Sequence, residues 1–174
     1  MSVKCLIYCT KAKPYISYDS YDNTVWEADK EYSLNGTIVA SFDCEKIERF
    51  DVPYPVYFGE VKDKLEHITK GSCLSLMNLH HYLGDKSGYV IHISNLEIFD
   101  KPKELNKYSK RLPNGDFQVL GNAPQNMMNV CEIKYLIEDY VLISIKPEHI
   151  AKILTGKKTI EVRKKVVNKL KELI

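Results

Sequence analysis

The sequence predicts one α+β domain built on a small mixed β-barrel with flanking helices. Segments with strand patterning outnumber those with helical spacing. Most connections between them are longer than a tight hairpin, which suits a mixed barrel better than a meander. The 174 residues contain no internal repeat, low-complexity tract or linker that would divide them, and they are enough for one proper core.

The elements follow in order. VKCLIYC (3–9) reads as a strand. Residues 10–35, with Pro14 and many Tyr, Asp and Asn, read as an irregular excursion with a short helix near Trp26. Gly36 then opens one long strand, TIVASFDCEKIERF, with Val39, Phe42, Cys44 and Ile47 pointing inward. DVPYPVYFG is an extended Pro-rich loop. EVKDKLEHITKG places Val61, Leu65 and Ile68 on one helical face, with Gly71 as the stop. LSLMNLHHYLGDKSG is a second helix ended by Gly84. YVIHISNLEIFD is a strand with a bulge or turn near Asn95, and 101–130 is loop-rich around Pro102, Pro113-Asn114-Gly115 and Pro124. CEIKYLIED and VLISI (141–145) are the next strands. Pro147 starts a short amphipathic helix, Gly156 stops it, and a strand follows. In KKVVNKLKELI, Val166, Val167, Leu170 and Leu173 form a stripe, so 166–174 reads as a C-terminal helix that packs on the body.

Composition narrows the setting. No run approaches the ~18–20 apolar residues of a membrane helix. The apolar core of MSVKCLIYCTKAKP is too short for a signal peptide. The odd set Cys5, Cys9, Cys44, Cys73 and Cys131 reads as reduced thiols in a cytoplasmic protein. No metal site or cofactor is expected: Cys5 and Cys9 are not at zinc spacing, nor are His80 and His81 with Cys73 nearby. His92 reads as a satisfied, partly buried strand histidine. There is no Gly-rich phosphate loop and no Ser-His-Asp or Cys-His arrangement.

Charge is unevenly placed. From Val141 onward there are nine basic residues and three acids, a surplus of six; the whole chain is +2, so residues 1–140 carry −4. A basic end on a weakly acidic body fits a local polyanion site. Within it, Glu161 and Arg163 are two apart and share a strand face, while Ile160 and Val162 point to a core. Lys157, Lys158 and Thr159 occupy the turn before that strand. Lys146, at the end of VLISI, either enters the same cleft or is an ordinary exposed lysine.

SIKPEHIAKILTGKKTIEVRK resembles the opening of ASCH domains, small PUA-like β-barrels implicated in RNA binding. Their Gly-x-Lys-x-x-Glu-x-Arg motif is matched by Gly156, Lys158, Glu161 and Arg163. VKCLIYCTKAKP resembles the family's second strand, NGTIVASFDCEKIERF the next, and LHHYLGDKSGYVIHISNLEIFDKPKEL the late helix and strand. NAPQNMM resembles a Pro-Gln loop that approaches the cleft. The resemblance covers most of the chain, least of all residues 15–33. One departure is clear: the strand-helix-motif unit, 142–165 here, comes last rather than first. The resemblance therefore implies either circular permutation, in a monomer whose termini lie together, or exchange of this unit in a dimer. Small proteins of this kind are common in phages and mobile elements of anaerobic bacteria, and such an origin is implied here.

The resemblance implies a cleft that binds RNA or a modified nucleotide. Lys146, Lys157, Lys158 and Arg163 would meet phosphate. Glu161 would orient the cations or accept from an exocyclic amine, and Thr159, Gln125 and Asn126 would complete the polar set. Against this stands a purely structural salt bridge, worth little if exposed. Tyr15, Tyr18, Tyr21, Tyr32, Tyr54 and Tyr57 can stack on bases but as a class more often pack half-buried. Two alternatives stay open. One is an enzyme acting on RNA or a modified nucleoside, with Lys158 and Glu161 as catalytic groups. Some small ASCH proteins resemble amidohydrolases acting on acetylated cytidine, which use the motif Lys with a Thr two residues before the motif Arg. Here Glu161 holds that Thr position, so acetylcytidine hydrolysis is not expected. The other is a phage protein that inhibits a host protein through its acidic body and residues 15–33.

Overall fold

The computed structural model describes residues 1–11, 17–19, 23–25, 33–51, 62–84, 86–134 and 139–174. The expectations for a helix near Trp26, for the loop DVPYPVYFG beyond Asp51, for Val61, and for Tyr15, Tyr21, Tyr32, Tyr54 and Tyr57 lie outside them, as does the side chain of Tyr18.

The architecture is α+β, as the sequence predicts. The strands are β1 (Val3–Cys9), β2 (Ser17–Asp19), β3 (Asn23–Val25), β4 (Ile38–Cys44), β5 (Ile47–Phe50), β6 (Gly88–His92), β7 (Ser94–Lys103), β8 (Tyr108–Arg111), β9 (Phe117–Val119), β10 (Met127–Glu132), β11 (Asp139–Ile145) and β12 (Ile160–Arg163). The helices are α1 (Lys62–Ser72), α2 (Leu76–Leu83), α3 (Pro147–Leu154) and α4 (Asn168–Lys171). A seven-stranded sheet runs β7-β4-β1-β11-β10-β8-β9, a three-stranded sheet runs β12-β6-β5, and β2 pairs with β3. Among the described residues these sheets are open, not the closed barrel expected, with β7 and β9 as the outer edges of the large one. No helix among the described residues is long and apolar enough to cross a membrane.

β1 and β11 lie side by side in the same chain, in parallel register with Cys5 opposite Val141 and Cys9 opposite Ile145. Both are buried on both faces, which is why VLISI reads as a nearly continuous apolar run. Val3, Cys5, Ile7 and Cys9 join Val141, Ile143 and Ile145 in the main core, while Leu6, Tyr8 and Leu142 face a second cluster. The unit 142–165 is thus built into the body. Ile150, Ala151, Ile153 and Leu154 of α3 fill the main core, and Ile160 and Val162 fill a third cluster with Ile68, Leu79 and Val90.

Two expected single strands each divide between sheets. TIVASFDCEKIERF breaks at Glu45–Lys46 into β4 and β5, and YVIHISNLEIFD breaks at Ile93 into β6 and β7. The inward set Val39, Phe42, Cys44 and Ile47 lies in the main core as expected. Asn95 adopts a positive φ of 48° just after the second break. The loop-rich reading of 101–130 is corrected in part. Short polar β8 and β9 lie there, and β10 starts at Met127, ahead of the expected CEIKYLIED strand. Pro102 is tolerated near the end of β7 because that strand is a sheet edge. The C-terminal helix is one turn only, yet Val166, Val167, Leu170 and Leu173 all pack on the core.

Gly71 does not stop α1. The helix continues to Ser72, and Cys73 takes the left-handed position with φ 56°. Gly71 is needed for space instead: a Cβ there would lie 2.6 Å from Ile160 Cδ1. Helix propensity favours alanine by about 1 kcal/mol, but overpacking a buried contact costs about 1–3 kcal/mol. Gly71→Ala is therefore expected to lower stability in urea unfolding. A midpoint at or above wild type would show that β12 does not seat against α1.

Candidate functional site

The C-terminal ends of the parallel pair β1 and β11 open into a cleft of about 360 Å³. β12 supplies its floor with Glu161, Val162 and Arg163, joined by Lys158; α2 supplies Asn78 and Tyr82, with Leu74 from the link before it, at one wall; α3 and the ends of β1 and β11 supply Lys146, His149, Thr10, Ser144 and Ile145. Gln125 closes it from the loop before β10.

Local sequence explains how the floor is placed. Pro147 at the first position starts α3, and its main-chain ladder ends with Thr155 and with Gly156 at φ 72°. The chain then crosses the end of α1, where Thr159 N–H donates to the Gly71 carbonyl (2.9 Å) and the Cys73 thiol to the Lys157 carbonyl (3.2 Å). β12 pairs with β6, Glu161 opposite Ile91 and Arg163 opposite Tyr89.

The parity expected for β12 holds, but Glu161 and the preceding Lys158 are buried, and Arg163 is partly so. Lys158 is 3% exposed and Glu161 6%. Lys158 Nζ donates to the Ser72 carbonyl (2.9 Å), where the last turn of α1 favours a cation, and lies 3.2 Å from Glu161 Oε2. Arg163 Nε lies 2.7 Å from Glu161 Oε1 without the alignment of a hydrogen bond, so that contact is Coulombic. Arg163 also donates from Nη1 to Asn126 Oδ1 (3.1 Å) and from Nη2 to the Ser144 carbonyl (2.7 Å). Asn126 Nδ2 in turn donates to the Lys165 carbonyl (3.0 Å). One carboxylate thus holds two cations, and Arg163 is a braced guanidinium rather than an open fork.

The sequence-derived residues divide accordingly. Lys146, Lys158, Glu161, Arg163 and Gln125 line the cleft together. Asn126 acts from behind, by positioning Arg163. Lys157 and Thr159 are exposed and are not among the cleft's lining residues, because the turn carrying them is tied to the end of α1. The reading of Glu161 as acceptor for an exocyclic amine is disfavoured, since each of its oxygens already faces a cation.

Sequence reasoning missed Thr10, Asn78, Tyr82 and His149. His149 lies three residues after Lys146, so helical spacing could have paired them. Thr10 required the register of β1 on β11. Tyr82 was hidden among many tyrosines; its ring carries Lys164 Nζ 5.0 Å from the centroid.

Burial, and then the nearby Lys158 charge, holds the His149 imidazole below its ordinary pKa, against smaller opposing effects of Glu161 and Glu148. An unfolded histidine protonates near pH 6.5, where the folded one resists. The unfolded state then binds more protons, so stability falls as pH drops through and below that value. His149→Gln is expected to flatten this loss. Urea midpoints at about pH 7.5 and 5.5 check it, and an unchanged slope would count against it.

Elsewhere, Glu48 is held by His92 (2.8 Å), Lys46 (3.2 Å) and Lys64 (3.6 Å), so His92 is the satisfied histidine expected. No group among the described residues could hold a metal ion. Burial pushes the Cys9 thiol up to about 12 and those of Cys44 and Cys131 to about 11, which makes them unreactive. Comparison with protein-family models, curated proteins and solved structures finds no significant match to this chain.

Proposed function

We propose that this chain is an ASCH-like nucleic-acid-binding module, PUA-like in fold with permuted order, whose cleft takes one nucleotide of an RNA or a modified nucleotide. The observation that supports this most is the cleft itself. A net positive Lys158–Glu161–Arg163 floor shares the cleft with the side chains of Leu74, Tyr82 and Ile145. Its volume, about 360 Å³, is at the small end of the ~300–1,000 Å³ of ligand pockets, as suits a single nucleotide. A PUA-like arrangement of two sheets is supported by β4–β5 and β6–β7, which each pass from one sheet to the other.

Phosphate falls to the exposed cations. Lys146 stands at the mouth, and Lys164 flanks Tyr82, where an adjacent base can stack. Glu161, engaged by two cations, gives little support to a hydrolase, and Thr159 gives no hydroxyl to the cleft. For the host-protein reading, most of 15–33 lies outside the described residues.

The test is binding of single-stranded RNA oligonucleotides across a salt series. Wild type is expected to bind with a log–log slope of about −0.7 per phosphate contacted. Lys146→Ala with Lys164→Ala should make that slope shallower while the thermal midpoint stays near wild type, since both side chains are exposed. Absence of binding at low salt would end the proposal. Lys158→Ala with Arg163→Ala is a poorer probe, because both residues are built into the floor, Lys158 buried and Arg163 partly so.

A further inference from the structure

We infer that single-stranded RNA continues from the cleft onto an exposed shelf at the β9 edge of the large sheet, where a base stacks on Phe117 and a phosphate meets Arg111. This rests on the nucleotide-binding function proposed above.

Strand parity builds the shelf. Met127 of β10 packs on the main core, while Val130 of that strand and Tyr108 of β8 face the second cluster. Successive side chains alternate, so Asn129 and Arg111 share the main-core side. Across β8 and β9, Arg111 pairs with Phe117 and Ser109 with Val119, which puts Phe117 and Val119 on that side as well. Leu120, the next residue, faces the second cluster as this parity requires. The core does not extend to the outer strands. Phe117 is 42% exposed and Val119 54%, and Arg111 and Asn129 are exposed beside them.

Charge and strand length favour a polyanion over a protein chain as the occupant. Arg111 is the one charge that β8, β9 and β10 turn to this side. Among the described residues neither Arg111 nor the exposed Lys165 has an acidic partner. The nearest acids are engaged. Asp116 has the opposite parity to Phe117 and accepts from Asn114 (2.7 Å), and Asp139 of β11 is met by Lys169 (3.7 Å). β9 is only three residues long, and so short an edge is a poor template for a partner's strand. An exposed aromatic beside an unpaired cation suits an unpaired base and its phosphate.

The shelf is continuous with the cleft. Gln125 lines the cleft, and its neighbour Asn126 donates to the Lys165 carbonyl (3.0 Å) just before β10 begins at Met127. Lys165 therefore stands between the two, with Lys164 next to it over Tyr82. The β10–β8 register, Cys131 opposite Ser109, continues to set Asn129 beside Arg111. From Gln125 along β10 to Asn129 and then across β8 to β9 is roughly 16 Å at ordinary strand spacings. The base in the cleft and the base on Phe117 thus belong to one strand without being adjacent.

The experiment is fluorescence anisotropy with single-stranded RNAs of mixed sequence, about four to about twelve nucleotides long, across a salt series. Wild-type affinity is expected to step up once the strand is long enough to pass from cleft to shelf. Phe117→Ser should weaken the longest RNA about five- to hundredfold and leave the shortest unchanged, and Phe117→Tyr should keep the step. Arg111→Gln should make the log–log salt slope of the longest RNA shallower by about 0.7. Wild-type affinity without a step, full affinity of Phe117→Ser for the longest RNA, or an unchanged slope in Arg111→Gln would overturn the inference but not the cleft. So would a loss shared equally by short and long strands. A dimer that Phe117→Ser abolishes while RNA binding persists would make the shelf a contact between copies, which also overturns it. Failure of every RNA to bind would instead overturn the function on which it rests. Both replaced side chains are exposed, and the length step in wild type needs no variant.

Discussion

Glu161→Ala is expected to destabilise the protein by about 3–5 kcal/mol, the range for removing one partner of a buried ion pair. The size follows from what is left behind. Lys158 and Arg163 would remain beside each other at the floor, with their shared carboxylate gone. Their other partners are neutral oxygens: the Ser72 and Ser144 carbonyls and Asn126 Oδ1. Those bonds orient the cations without offsetting their charge. Glu161→Gln keeps the shape but sets an amide donor against one of two cationic donors, so it should also be costly. Lys158→Met with Glu161→Leu removes a charge pair and should cost less than Glu161→Ala alone. Urea unfolding measures all three. A loss below about 1 kcal/mol for Glu161→Ala would place the triad in solvent, where ion pairs are worth about 0–1 kcal/mol. It would then be the surface salt bridge weighed from the sequence.

The depth of that triad was not legible in the sequence, although its grouping was. Alternation along 160–163 correctly put Glu161 and Arg163 on one face and Ile160 and Val162 in a core. Burial depends on α1, whose Ser72 carbonyl receives Lys158 across 86 residues of chain. No local pattern encodes such a contact. Gly71 misled for a related reason: glycine near a helix end usually marks the stop, whereas here it makes room for Ile160. β8 and β9 were missed because YSKR and FQV are short, and FQV is exposed throughout, so no face alternates. VKCLIYC and VLISI were legible because both faces of each are buried. Their apolar runs survive any uncertainty in register.

The largest effect should come from removing residues 139–174, and the most informative from moving them. β11 lies between β1 and β10, so its loss splits the large sheet at its centre. Leu142, Ile143, Ile150, Ile153 and Leu154 are all buried. At about 1.5–3 kcal/mol each, they match the about 5–15 kcal/mol by which a whole domain is stable. The truncated chain is expected to show no cooperative unfolding transition. Relocation should be tolerated, because the first strand and α4 lie close: Ser2, Val3 and Lys4 share one pocket with Lys169 of α4. A permutant that joins Ile174 to Met1 through a short Gly-Ser linker and opens between Lys134 and Asp139 keeps the β1–β11 register. It also places the strand, helix and motif first, in the order that ASCH domains have. Lys134 and Asp139, which flank the opening, are exposed, and exposed sites are where permutation succeeds. A cost near 1 kcal/mol would shift the melting midpoint by only about 2–4 °C at this size. A control opened between Leu6 and Ile7 cuts a central strand and should fail to fold. If the first permutant fails as the control does, the C-terminal unit depends on its place in the chain, and the permuted relationship proposed here loses its support.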